Sequence, residues 1–203
     1  MTSILTGDII NSRSVDSALW IIGLKALLNQ LAMNSEQWEI YRGDEFQLEI
    51  QNPEDAFICA ILIKAYLKTV KLDARIGIGL GEKNHTSKKI SQSNGSAFVN
   101  SGAIFDSLKR EKTSLALQSN NFDFDSNLNL KLKLALTFID SWLIQAAELV
   151  LIAIQNPEFS QEEIGKKLGI NQAAVSRRKK RAHFDLILEL DAYFRNQIKT
   201  ISR

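Results

Sequence analysis

Apolar residues recur along this chain with two different periods, and the switching between them predicts a mixed α+β order. Period-two alternation or a short apolar run marks strands at residues 3–10, 37–41, 45–50, 74–80 and 114–118. Helical spacing marks residues 17–33, 53–66 and 97–109, with Phe57, Ile61 and Ala65 forming the buried stripe of the second and Pro53 opening it. The two middle strands read as a hairpin turning at Gly43-Asp44. The resulting order β-α-β-β-α-β predicts a ferredoxin-like unit with an antiparallel sheet, extended by one further helix and strand. Gly77, Gly79 and Gly81 in ARIGIGLG mark close backbone approach or bulging. After Asn129 the run LKLKLALTFID alternates like an edge strand, ahead of an apolar helix near residues 142–154.

Residues 159–182 follow a different and tighter pattern. Ser160 and Glu163 make a capping box that starts a short helix, Ile164 and Leu168 share its inner face, and Gly165 lets a second helix approach. Gly169 ends that helix in the left-handed conformation, Ile170 plugs the turn, Asn171 caps the next helix, and Val175 faces the first. This spacing predicts an all-α helix-turn-helix DNA-binding domain. Gln172, Ala173, Ser176 and Arg177 on the outward face of its second helix are candidate base readers. Arg178, Lys179, Lys180 and Arg181 are candidate phosphate contacts. An ordinary bundle with a solvated basic helix is the competing reading.

Charge placement agrees with the first of these. Lys and Arg total 25 against 23 Asp and Glu; residues 1–140 carry 15 and 16 of them, leaving a basic surplus of 10 against 7 in residues 141–203. A seam in NNFDFDSNLN, residues 120–129, divides the chain into a domain over 1–125 and a linker strand, helix and DNA-binding domain over 126–203. With 203 residues, 45% hydrophobic content and two prolines, the chain can bury a sizeable core. One cysteine, Cys59, excludes an internal disulfide framework and reads as a small core residue. The opening MTSILTGDII lacks the basic region of a signal peptide, and the helix near Trp142 is too short to span a bilayer, so a cytoplasmic protein with no membrane partner is expected. His85 lies in a polar loop with Lys83, Lys88 and Lys89, and His183 follows the basic helix; neither has the neighbours that zinc or cysteine chemistry needs.

The acids of the N-terminal part hold the other candidate chemistry. Asp8 ends the first strand while Asp44 and Glu45 sit on the hairpin, and the expected topology sets those strands side by side. Together they offer hard oxygen ligands suited to Mg²⁺ shared with phosphates. Ile9, Ile10, Asn11 and Ser12 would present backbone N–H groups to phosphate at a helix start. Equally, Asp44 can serve a Gly-Asp turn and Asp8 a helix cap.

LTGDIINS, YRGDEFQL, ARIGIGLGE and NGSAFVNSG resemble four successive motifs of the SatD family, and the C-terminal helices extend that likeness over nearly the whole chain. The same N-terminal motifs are more distantly similar to class III nucleotidyl cyclases and GGDEF diguanylate cyclases. That similarity implies a cyclase-like palm in which Asp8 and Asp44 bind metal, Glu45 completes the acidic string, Arg42 stands in a glycine's place beside the nucleotide base, and Asn100 is the candidate transition-state asparagine. It fails four residues beyond Asn100, where cyclases carry arginine and this chain has Ile104, with Lys109 and Arg110 further along. Losing one such charge stabiliser costs about 2.7–4 kcal/mol of transition-state binding.

The expectation is therefore a transcription regulator, binding double-stranded DNA as a homodimer, whose palm senses a nucleotide with or without Mg²⁺ and turns it over slowly or not at all. The tail of residues 184–198, with Leu186, Leu190 and Phe194 at helical spacing, offers either a dimer face or core packing. The alternatives are an active nucleotidyl cyclase or nucleotide-condensing enzyme with attached DNA binding, and a palm reduced to a dimerisation platform.

Overall fold

The computed structural model describes residues 1–201. Strands β1 (Thr2–Ile10), β2 (Trp38–Tyr41), β3 (Glu45–Ile50), β4 (Asp73–Gly81) and β5 (Leu115–Gln118) form one sheet in the order β2-β3-β1-β4-β5. The first four pair antiparallel and β5 joins β4 in parallel. Eight α-helices lie among the described residues: α1 (Ile21–Leu31), α2 (Ala56–Thr69), α3 (Ser96–Glu111), α4 (Phe122–Ile139), α5 (Ile144–Gln155), α6 (Gln161–Leu168), α7 (Gln172–Ala182) and α8 (Phe184–Ile201). The chain is thus α+β, as its apolar periods predict. None of these helices is long and apolar enough to cross a membrane.

Side-chain alternation divides the sheet into two unlike faces. Leu5, Ile9, Phe46, Leu48, Ile76 and Ile78 turn into the main apolar cluster with α1 and α2. On the opposite face Gly77 and Gly79 take α3 at backbone contact: a Cβ on Gly79 would lie 2.1 Å from the Ala97 carbonyl oxygen and 2.2 Å from the Ser101 nitrogen. The glycines of ARIGIGLG therefore set the depth at which α3 sits on β4. The outer edge at β5 is closed by a side chain, since Asn129 of α4 accepts from the Leu117 N–H and donates to the Leu117 carbonyl, both at 2.8 Å. One amide thus occupies the outward N–H and carbonyl of Leu117, at which another strand would pair.

The expected edge strand at residues 130–140 is instead the second half of α4. Both periods fit LKLKLALTFID locally, but only the helical one buries the right residues. Leu128, Leu132, Ala135, Leu136 and Ile139 form a buried stripe, whereas the alternating reading would bury Leu130 and Leu134, which are 61% and 62% exposed. One helix thereby runs unbroken from Phe122 across the expected seam, and a single apolar cluster extends from Leu5 in β1 to Ile198 in α8. The tail folds back on the sheet half. Phe194 packs on Phe57 with ring centroids 5.8 Å apart, Arg195 pairs with Asp55 and Lys199 with Glu54, so Phe194 and Leu190 serve the monomer and Leu186 stays exposed.

A buried ionic cluster joins these parts. The Lys64 ammonium, fully buried in α2, lies 2.8 Å from Asp73, 3.1 Å from Asp140, 2.9 Å from the Ser114 hydroxyl and 3.1 Å from the Ala74 carbonyl. Lys68, one turn on, donates to Asp73 and to the Asp140 carbonyl, each at 2.8 Å. Burial alone would raise the Asp73 carboxyl, but the charges and hydrogen bonds of Lys64 and Lys68 outweigh it and hold it below the usual range.

Two outcomes test this packing. Gly79→Ala should destabilise by about 1–3 kcal/mol through overpacking against backbone. Gly102→Ala, where an added Cβ meets nothing within 4 Å, should stabilise α3 by up to about 1 kcal/mol; denaturant titrations in which both variants shift alike would refute the contrast. Because Asp73 has a depressed pKa when folded, its contribution is full above the ordinary carboxylate pKa of about 4 and is lost as pH falls through the folded value. Asp73→Asn should therefore cost on the order of 3 kcal/mol at neutral pH and remove part of the acid-induced loss below it. Melting curves of the two proteins that run parallel from neutral pH into acid would overturn that assignment.

Candidate functional site

The basic stretch is built on two short helices whose ends are fixed locally. Ser160 accepts from the Glu163 N–H while the Glu163 carboxylate accepts from the Ser160 N–H, closing the capping box on α6. Gly169 ends α6 with φ +65°, a left-handed turn that favours glycine. Asn171 caps α7 by accepting from the Ala174 N–H at 2.9 Å. A Cβ on Gly165 would lie 2.6 Å from the Ile170 carbonyl oxygen, so the turn closes over that position only because it is glycine. Ile164 and Val175 are buried between the two helices. The Trp142 indole donates to the Ala182 carbonyl at 3.1 Å and so ties the end of α7 to the segment before α5.

Those inward contacts decide which face of α7 remains. Gln172, Ala173, Ser176, Arg177, Lys180 and Arg181 are exposed. Arg178 and Lys179 turn towards the body instead: Arg178 lies 3.3 Å from Glu148 of α5, and the Lys179 ammonium sits 5.0 Å above the Phe184 ring. His183 occupies the left-handed turn between α7 and α8, with its ring against Phe138. Of the eight residues expected to face DNA, six therefore share an open surface and two brace it.

At the far end of β1 the structure gathers only part of the acidic constellation. Asp8, Ile9, Ile10, Asn11, Ser12, Asp44 and Arg75 line a cleft of about 590 Å³, together with Arg13 and Ser14. Arg75 of β4 stands opposite Asp8 in the register and binds both its carboxylate oxygens, while the Ser12 hydroxyl donates to Asp44 at 2.6 Å. The hydrogen bonds that Arg75 donates to Asp8, acting against burial and aided by the charges of Asp8 and Asp44, raise the Arg75 pKa. Glu45 faces Asp8 across the register but lies 3.8 Å from Arg42, whose side chain extends into solvent from the left-handed hairpin turn. Among the described residues no three His, Cys, Asp or Glu side chains converge. The carboxylates are hard-oxygen donors that suit Mg²⁺, yet Asp8 is engaged by a guanidinium.

The expected phosphate cradle is not a helix start. β1 continues to Ile10, Asn11 turns left-handed, and two three-residue 3-10 turns, Ser12–Ser14 and Ser17–Leu19, follow before α1 begins at Ile21. The Ile9 N–H donates to the Asp44 carbonyl at 3.0 Å and Ile9 itself is buried. The long stretch before α1 is polar and reaches an apolar stripe only near Trp20, which is why the helix begins late. Asn100 is held away from the acids. Its amide donates to the Leu80 carbonyl at 2.8 Å and to Asn120 at 3.3 Å, and Leu80 pairs with Ser3 at the end of β1 opposite Asp8.

One residue of this cleft, Arg75, goes unmarked by the sequence motifs. Arg75 is an arginine inside an otherwise apolar strand, and matching ARIGIGL antiparallel to LTGDIIN is the signal that sets it across from Asp8. Of the two cations beyond Ile104, Lys109, at the end of α3, lines a cleft with Arg75 and Lys112, whereas Arg110 does not line it. Two of the three loop lysines are engaged, Lys83 with Glu49 at 2.6 Å and Lys89 with Glu39 at 3.7 Å. Burial pushes the Cys59 thiol up to about 12, as an inert core residue requires.

A family model described as the SatD family matches residues 3–201. No curated protein and no solved structure matches the chain.

Proposed function

The chain belongs to the SatD family, and on that premise we propose that it is a DNA-binding regulator, with α6 and α7 as its helix-turn-helix and the sheet half as a nucleotide-sensing palm. The observation that carries this reading is the exposed stripe of Gln172, Ala173, Ser176, Arg177, Lys180 and Arg181 on a helix whose inward residues are held by contacts within the molecule. Glutamine, serine and arginine at the start of a recognition helix read base edges, and the cations behind them hold phosphates. Arg178 and Lys179 would orient α7 on α5 and α8. The order β2-β3-β1-β4 with two helices between the strands supports a ferredoxin-like palm.

In the palm, Asp8 and Asp44 would hold Mg²⁺ only once Arg75 lets go of Asp8. A metal-bound nucleotide supplies both signs of charge for that exchange, with Asp8 going to the cation and Arg75 to the phosphates. The cleft holding Asp8, Asp44 and Arg75 together also favours a second reading, a nucleotide-condensing enzyme. Against it stand Ile104 and the engagement of the Asn100 amide at the other end of β4.

For the DNA reading, Arg177→Ala should weaken specific binding by about 1–3 kcal/mol, and Lys180→Ala should weaken all sequences alike and lower the salt slope by roughly 1. Arg178→Ala should act mainly on thermal stability. Anisotropy titrations in which Arg178→Ala costs as much specific affinity as Arg177→Ala would reverse these roles. For the palm, calorimetry with nucleoside triphosphates and Mg²⁺ should give binding that Asp8→Asn together with Asp44→Asn abolishes, with little pyrophosphate released. Absence of heat with every nucleotide leaves the palm a packing platform, whereas brisk pyrophosphate release that disappears in Asp8→Ala makes the protein an enzyme.

A further inference from the structure

The exposed stripe of α7 does not end at the end of that helix. Arg181, one turn beyond Arg177, lines a cleft of about 480 Å³ with Arg178, Trp142 and Leu143. Trp142 and Leu143 also line the next cleft, which they share with Lys71, Asp73 and Ile10. Ile10 and Asp73 continue into a third with Lys109, Lys112 and Arg75, and Arg75 opens the fourth, that of Asp8, Asp44 and Arg13. Each cleft adjoins the next through shared residues, and together they make a trough-like series from Arg181 on the basic helix to Asp8 at the acidic end of the sheet.

Along that trough the charges are lopsided. Asp73 and Asp140 are held by Lys64 and Lys68, Asp8 by Arg75, and Arg178 by Glu148. Arg13, Lys71, Lys109, Lys112 and Arg181 are exposed, and among the described residues none of them makes an ion pair within 4.0 Å. Among those same residues Asp44 is the one carboxylate lining the trough without a basic partner of its own. Lys71 and Lys112 each occupy a left-handed turn, φ +62° and +52°, where glycine would be easier, so two strained turns at one end of the sheet both present ammonium groups to the trough.

A small anion would need these cations around one point, whereas they are spread over four adjoining clefts that begin at Arg181, one helical turn from Arg177. Cations strung along a groove match a polyanion whose charges are themselves regularly spaced. We propose that this trough carries the sugar-phosphate backbone of the DNA held by α7, with Lys71, Lys109 and Lys112 as phosphate contacts contributed by the sheet half. The Asp8 end of the sheet then lies against nucleic acid, and any ligand there meets the DNA directly. This rests on the DNA-binding reading of α7.

The test uses the full chain and a duplex of about three helical turns, with affinity followed by anisotropy over a range of salt concentrations. Lys71→Gln, Lys109→Gln and Lys112→Gln are combined in one protein, and Arg177→Ala with Lys180→Ala in another. All five side chains are exposed, and unchanged melting verifies that both proteins fold. The triple variant should lower the slope of log affinity against log salt by about 2–3, at roughly 0.9 for each phosphate no longer neutralised, and weaken low-salt binding at least tenfold. A wild-type slope and affinity in the triple variant, with binding weakened in the α7 variant, overturns the trough and leaves the DNA reading standing. Wild-type binding by the α7 variant removes the DNA reading and the trough with it. If the triple variant keeps its DNA affinity but loses calorimetric binding of inorganic triphosphate, the trough is a small-anion site and the proposal is overturned.

Discussion

The fold turns on an ammonium group with no access to water. Removing Lys64 from solvent costs several kcal/mol for the ion alone, and the structure retains it by surrounding the ammonium with oxygens: Asp73, Asp140, Ser114 and the Ala74 carbonyl. These oxygens come from the start of β4, the residue before β5 and the end of α4. Satisfying one charge therefore fixes where three elements meet α2. Lys68 repeats the constraint one turn on by holding the Asp140 carbonyl, so the chain leaves α4 at a set point and enters α5 by way of Trp142. A cluster of this kind is poor evidence for net stability, since apolar residues of the same volume would pack as well. What it contributes is a unique arrangement of the sheet against the C-terminal helices.

The sheet and the two short helices are legible in the sequence because each rests on local rules. Alternation, the glycines of ARIGIGLG, the capping box at Ser160 and the left-handed Gly169 act over a few residues, and a sequence displays them whole. Residues 130–140 mislead because leucine at every second position satisfies a strand and, at every fourth, a helix. The choice is made by which leucines find an apolar neighbour, and that neighbour lies far away in sequence. Arg75 and the lysine cluster are hidden for the same reason. Their meaning depends on pairing across tens of residues, Asp8 with Arg75 and Lys64 with Asp140, which periodicity does not carry.

The acidic end of the sheet illustrates how a motif and its surroundings part company. Asp8 and Asp44 lie in motifs that resemble those of a metal-binding pair and face one cleft, but a guanidinium neutralises the first and a serine hydroxyl engages the second. The asparagine that would assist them is fixed at the other end of β4 by backbone and side-chain partners. Chemistry needs those groups around one substrate. Recognition of a charged ligand needs only Asp8, Asp44 and the nearby cations.

The contacts that connect that cleft to α7 follow a restricted route. Ile10 and Asp73 border the clefts that lead from Arg75 towards Trp142, and Trp142 in turn holds the last carbonyl of α7. A ligand that pulls Arg75 from Asp8 changes the charge beside Asp73, whose carboxylate both lysines share, and Lys68 grips the Asp140 backbone from which the Trp142 segment departs. A nucleotide influences DNA affinity through this chain only if it binds the two arrangements of α7 unequally, because equal affinity shifts no population however tight the binding. Linkage then demands that DNA alter nucleotide affinity by the same factor. Under the proposed sensing role, that reciprocity would run through the segment from Asp140 to Leu143, which is bonded to the ionic cluster at one end and, through Trp142, to α7 at the other.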